Sequence, residues 1–143
     1  MKDIRINNIR MNDIRQLLEQ SSIIAVVGLS AKTQRPSNMV ARYLIEAGYT
    51  IVPVNPGQDT ILGLPCYPDI SSIPGDIDIV DIFRRSEEVT SIVEQAVQTS
   101  CSAIWMQEGV VNHEAAELAM QHGKKVIMDR CIKVDHATIH SEQ

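Results

Sequence analysis

Long apolar runs are missing from this 143-residue chain. None approaches the roughly 20 residues that a membrane-spanning helix needs. Positive charge is also scarce: 13 Lys and Arg stand against 18 Asp and Glu, a net charge of −5. A main partner made of nucleic acid is thereby excluded, because backbone binding needs a broad basic face. A small anionic ligand is not excluded, since charges beyond roughly 8 Å are screened and a local cluster of cations suffices. Cysteine occurs three times, at Cys66, Cys101 and Cys131. An odd number at wide spacing argues against a disulfide framework. With no apolar leader behind Met1-Lys2-Asp3-Ile4-Arg5, these thiols are expected to be reduced and the protein cytoplasmic. The four histidines, His113, His122, His136 and His140, make no metal-ligand spacing with the cysteines, so no metal is expected.

What is present is an ordinary globular composition, 44% apolar and 22% charged, at a length that suits one domain over residues 1–143. The chain is organised around Ile23-Ile24-Ala25-Val26-Val27-Gly28-Leu29-Ser30. A short apolar run rich in β-branched residues reads as a strand buried on both faces, inside a parallel sheet. The loop from Ala31 to Arg35 follows, then a helical pattern from Pro36-Ser37. Strand, glycine turn and helix open a nucleotide-binding βαβ unit, in which the helix N-terminus suits a phosphate. Gly28 is expected to let a pyrophosphate approach the backbone, and Ser30 to cap the turn or bond the phosphate.

Along the chain, residues 1–11 carry no pattern and read as a loose arm, and Asn12 could cap a short helix facing inward with Ile14, Leu17 and Leu18. The helix from Pro36 presents Met39, Val40, Tyr43, Leu44 and Ala47 on one face and stops at Gly48. Tyr49–Val54 is a second strand, and Ile61–Tyr67, broken by Gly and Pro, a short edge strand at best. Ile77–Phe83, Ala103–Met106 and Lys125–Met128 are further strands. A helix starting near Ser86 with the apolar stripe Val89, Ile92, Val93, Ala96 and Val97, and another capped by Asn112, alternate with them, and residues 129–143 read as a polar tail that, with the first helix, could serve a homodimer or an unidentified protein partner. This alternation predicts an α/β, Rossmann-like three-layer fold whose parallel sheet has the strand order 3-2-1-4-5. Ligands in such sheets bind beyond the carboxyl ends of the strands at the switch point. The candidate site is therefore built from Gly28-Leu29-Ser30, Asn55-Pro56, Phe83-Arg84-Arg85 and Trp105-Met106-Gln107.

The turn Gly28-Leu29-Ser30-Ala31-Lys32-Thr33 holds one glycine, and the second strand ends in Asn55 rather than an acid. The fingerprint that grips an NAD ribose is thus incomplete, leaving NAD as the alternative. Lys32, Arg35, Arg84 and Arg85 gather cations near the predicted site, where charge-assisted bonds to phosphate are worth about 1.5–3 kcal/mol each.

At these residues the chain resembles the small CoA-binding proteins related to the N-terminal domain of the succinyl-CoA synthetase α subunit. The resemblance spans residues 12–136. It is carried by Val26-Val27-Gly28-Leu29-Ser30, Arg35-Pro36-Ser37, Val52-Pro53-Val54-Asn55-Pro56, Asp78 to Arg85, Trp105-Met106-Gln107-Glu108-Gly109 and Met128-Asp129-Arg130-Cys131, in that order. It implies CoA or an acyl-CoA held across the strand ends. Its diphosphate would lie near Gly28, Leu29, Ser30, Ala31 and Lys32, its adenosine near Asn55-Pro56 and Phe83, and its pantetheine arm towards Trp105, Met106 and Gln107. Where the synthetase has a lysine after the second strand, this chain has Gln58. The synthetase reaction is not carried over, and a non-catalytic carrier, sensor or regulator is expected.

Several of these residues also have ordinary structural readings. Adjacent Arg84 and Arg85 cannot point the same way, so one faces the site. If either meets the 3′-phosphate, replacing both with alanine weakens CoA more than dephospho-CoA. Trp105 is either core or pocket wall. Asp81, in a buried strand, needs a partner, with Arg84, Arg130 or loop amides as candidates. Cys131 beside Arg130 reads as inert, since no histidine is placed by sequence as its base; a small acyl-CoA enzyme using it is the alternative.

Overall fold

The computed structural model describes residues 10–141. Helix α1 (Met11–Gln20) leads into strand β1 (Ile23–Val27), helix α2 (Pro36–Glu46) and strand β2 (Thr50–Val54). Two short strands, β3 (Thr60–Ile61) and β4 (Leu64–Pro65), precede strand β5 (Ile79–Ile82), helix α3 (Val89–Ala96) and strand β6 (Ala103–Met106). Helix α4 (His113–Gln121), strand β7 (Lys125–Ile127) and helix α5 (Ile132–Ser141) complete the chain. The five long strands form one parallel sheet in the order β2-β1-β5-β6-β7, so the α/β, Rossmann-like three-layer fold is as expected.

The strand order differs in detail from 3-2-1-4-5. The third segment does not extend the sheet. It closes on itself as the antiparallel pair β3-β4 through Leu62 and Gly63, both at positive φ, the backbone that a tight hairpin turn requires. Pro65 lacks the N–H that a ladder needs, and the segment pairs with the sheet through an isolated bridge between Val54 and Tyr67. Strand β1 is interior, as predicted, but β5 takes the centre.

Side chains alternate across the sheet with period two. Ala25, Val27, Val80, Ile82, Ile104 and Met106 face the layer of α3 and α4. Ile24, Val26, Ile79, Ala103 and Trp105 face the layer of α1, α2 and α5. Of the stripe read from the sequence, helix α3 buries Val89, Val93 and Ala96, while Ile92 and Val97 are partly buried against the same core. The Asn112 side chain caps α4 by accepting from the Ala115 N–H at 2.9 Å. Asp78 ties the sheet's entry edge together: its carboxylate accepts from the amides of Ser22 and Ile23, at 2.8 and 2.9 Å.

Both chain ends need correction. Most of the expected arm lies outside the described residues, but Met11 already belongs to α1, and Arg10 rather than Asn12 is the N-cap, with no side-chain cap bond. The polar tail is helix α5, which buries Ile132, Asp135, His136 and Ile139. Its inward face is half polar and hides the helical period. Those polar groups are satisfied on site: the Arg130 guanidinium makes a two-point bond to Asp135, both distances 2.8 Å, and Tyr43 Oη lies 2.7 Å from His136 Nδ1.

Candidate functional site

The sheet reverses its winding between β1 and β5, and Gly28 sits there. Its φ is +85°, and a Cβ on it would lie 2.3 Å from the Phe83 carbonyl oxygen and 2.8 Å from Arg84 Cδ. Only glycine allows that backbone and that approach. The glycine thus brings the ends of the two strands together, a reason independent of any ligand. The Arg84 stem crosses directly over it.

Two clefts meet at Gly28. One, of about 400 Å³, is walled by Val54, Pro56, Ile70 and Ile92 and includes Arg84, Glu87 and Glu88 in its lining. The other, of about 320 Å³, is lined by Ser30, Lys32, Arg35, Pro36, Ser37 and Phe83. The loop between β1 and α2 is held from within. The Ser30 amide donates to Ser37 Oγ at 2.9 Å, and the Lys32 amide to Ser30 Oγ at 3.1 Å. The Asn38 side chain donates to the Ser30 carbonyl at 2.8 Å, and Arg42 donates to Asn38 Oδ1 and to the Thr33 carbonyl. Two of the amides expected to face a phosphate are thus spent inside the loop. The hydroxyls that accept from them keep their own protons to donate, so Ser30 and Ser37 offer O–H groups where bare amides were expected.

The other predicted residues divide. Ala31, Lys32, Arg35 and Pro36 are exposed on the loop and helix entry. The Leu29 side chain is fully buried in the core. Asn55 is used by the fold: its amide donates to the Leu29 carbonyl at 2.9 Å and its oxygen accepts from the Gly57 N–H at 2.8 Å. Pro56 lines the larger cleft. Arg84, with 41% of its side chain exposed, lines that cleft, whereas Arg85, at 77%, points to solvent.

The side chains expected to hold a pantetheine arm do not reach a cleft mouth. Trp105 and Met106 are fully buried on opposite faces of β6. The Trp105 indole donates to the Arg130 carbonyl at 2.8 Å. Gln107 is buried and accepts from the Ile132 amide at 3.1 Å, which fixes the start of α5. Asp129 accepts from the Gly109 N–H at 2.7 Å. The motifs around Trp105 and Asp129 therefore clasp one another across the strand ends of β6 and β7.

Asp81 also departs from expectation. It lies on β5 between Val26 and Trp105, and both carboxyl oxygens are buried with no hydrogen-bond partner among the described residues. Arg84 is bonded to Glu88 and Arg130 to Asp135. Burial alone pushes the Asp81 carboxyl well above the usual carboxylate range.

Sequence reasoning missed the wall opposite Gly28, formed by Glu87, Glu88, Ser91 and Ile92. The spacing carried the signal: Arg84 and Arg85 stand four and three residues before Glu88, the separations at which side chains meet on a helical turn.

A parallel α/β sheet with clefts at its switch point is an architecture of the Rossmann type. Residues 22–137 match the CoA binding domain family, and the chain belongs to it. It is 45% identical over 125 residues to the uncharacterized protein YneT of Bacillus subtilis, covering 87% of this chain and 93% of that one. A hypothetical protein from Pyrococcus horikoshii has the same fold, with a TM-score of 0.91 and 36% identity over 94% of this chain and 95% of that one. The chain is also 28% identical over 120 residues to acetate–CoA ligase [ADP-forming] I of Archaeoglobus fulgidus; that match covers 77% of this chain and 18% of the ligase. No helix among the described residues is long and apolar enough to cross a membrane.

Proposed function

We propose that this protein binds CoA or an acyl-CoA across the ends of β1 and β5 without reacting on it, as a carrier, sensor or regulatory module. The observation that carries this reading is the pair of clefts meeting at Gly28, one of them lined by Lys32, Arg35 and two serine hydroxyls. That cleft suits the diphosphate. The larger cleft, walled by Pro56, Ile70 and Ile92, suits a flat heterocycle. Membership of the CoA binding domain family supports the ligand. The NAD alternative has no support at Asn55, whose side chain is engaged with Leu29 and Gly57. Three unpaired cysteines suit a reducing cytoplasm.

The test is thermal unfolding with CoA, dephospho-CoA, acetyl-CoA and NAD. CoA at 100 times its dissociation constant adds about 2.7 kcal/mol, which raises Tm by roughly 5–10 °C for a chain of this size. A rise with NAD alone overturns the reading. Replacing both Lys32 and Arg35 with alanine is expected to weaken CoA and dephospho-CoA equally, by about tenfold or more in a titration, since exposure discounts each charge-assisted bond. An unchanged affinity places the diphosphate elsewhere.

The non-catalytic part rests on Cys131 and His136. Cys131 packs, partly buried, against the apolar layer of α1, α2 and α5. His136 is turned to the Tyr43 hydroxyl and stacked on His140, ring centroids 3.9 Å apart. Burial, and then His140, lowers the pKa of that imidazole. Turnover of acetyl-CoA that disappears in Cys131→Ser overturns this part.

A further inference from the structure

The two clefts differ in charge. Lys32 and Arg35 line the smaller one, with no carboxylate beside them. The larger one carries Asp69, Glu87 and Glu88 against the single guanidinium of Arg84. That guanidinium is already engaged. Arg84 Nε and Nη2 donate to the two carboxylate oxygens of Glu88 at 3.1 and 3.0 Å. Arg85 Nη2 donates to the same carboxylate at 3.4 Å, and its Nε lies 3.6 Å from Glu87. Bonds from Arg84, and then from Arg85, hold Glu88 below the usual carboxylate range, so it stays ionised at neutral pH.

We propose that Glu88 is a selectivity residue of the CoA site: by holding Arg84 it prevents the larger cleft from reading a phosphomonoester, and reserves it for an uncharged, amino-bearing heterocycle. This rests on the CoA reading above and deepens it. Arg84 is the cation in that cleft's lining, and Glu87 and Glu88 line the cleft with it, so a terminal phosphate there faces two carboxylates beside one engaged guanidinium. An exocyclic amine, by contrast, finds acceptors in the same carboxylates. The diphosphate is left to the cationic cleft across Gly28. The arrangement therefore discriminates by what it repels as well as by what it attracts. The 3′-phosphate that distinguishes CoA from dephospho-CoA goes unread.

Glu88→Gln keeps the side chain's shape and removes its charge. In calorimetric titrations at fixed salt, the unaltered protein is expected to bind CoA and dephospho-CoA within about threefold of each other. Glu88→Gln is expected to tighten CoA about five- to tenfold while dephospho-CoA moves less than twofold, because a freed guanidinium gains a charge-assisted bond that exposure weakens. Adding Arg84→Gln to that variant is expected to abolish the gain, which separates a released arginine from a general loss of negative charge. Equal shifts for both ligands in Glu88→Gln, or a preference for CoA above tenfold in the unaltered protein, overturn the inference and leave the CoA reading standing. Failure of the unaltered protein to bind either ligand overturns both.

Discussion

Gly28→Ala is expected to lose about 2–6 kcal/mol of stability, and CoA binding with it. Two costs add. A residue with a Cβ at φ +85° is strained by about 1–3 kcal/mol. The new methyl would also sit 2.3 Å from the Phe83 carbonyl oxygen, a backbone atom fixed by the β1–β5 ladder, and overpacking of that kind costs about 1–3 kcal/mol more. The strands can relieve the contact only by parting at the switch point, where both clefts meet. Thermal unfolding should show a drop of roughly 4–24 °C, and titration no CoA binding. A variant with unchanged Tm and intact binding would show that neither the turn nor the close approach matters.

Asp81→Asn is expected to become progressively more stable than the unaltered protein as pH rises from about 4. The sign follows from proton binding. Burial raises the Asp81 pKa in the folded state, while the unfolded chain ionises it near 3.9. Stability from this group is therefore fully present below the unfolded value and is lost as pH climbs towards the folded one. The slope is about 1.4 kcal/mol per pH unit in that window. Asparagine has no proton to hold, so the difference between the two proteins grows by that slope and levels off at the folded pKa. Denaturant melts at pH 4, 5, 6 and 7 measure it. A difference that stays flat across this range would mean that Asp81 is charged in the core and has found a partner.

This orphaned acid sits on the central strand, on the same face as and two residues before Phe83, which lines the smaller cleft. An unpaired buried polar group costs about 1–3 kcal/mol. The sequence showed the acid in an apolar strand and the need to neutralise it. The candidates were Arg84, close by in the chain, and Arg130, far along it. Each had a carboxylate at short range, Glu88 and Asp135, that took its guanidinium instead. Local pairs of that kind form at little entropic cost, and a sequence reading centred on Asp81 overlooks the carboxylates that compete with it.

Read as a line of residues, the chain by itself determined the layers, the switch point and the cationic loop. The signals for these are local: β-branched runs, the stripe of Val89, Val93 and Ala96, the Asn112 cap, and Gly28 between a strand and a helix. Short-range sterics and solvation fix them within a few residues. Only the tertiary structure decided what each motif is for. Trp105, Gln107 and Asp129 are spent on clasping the far strand ends, and Asn55 on its own turn. The tail became α5 because its polar inward residues met Arg130 and Tyr43 in space. Whether a polar side chain is free for a ligand depends on which groups the fold places within about 3 Å of it, and for Trp105, Gln107 and Asp129 those neighbours come from parts of the chain that sequence spacing does not bring together.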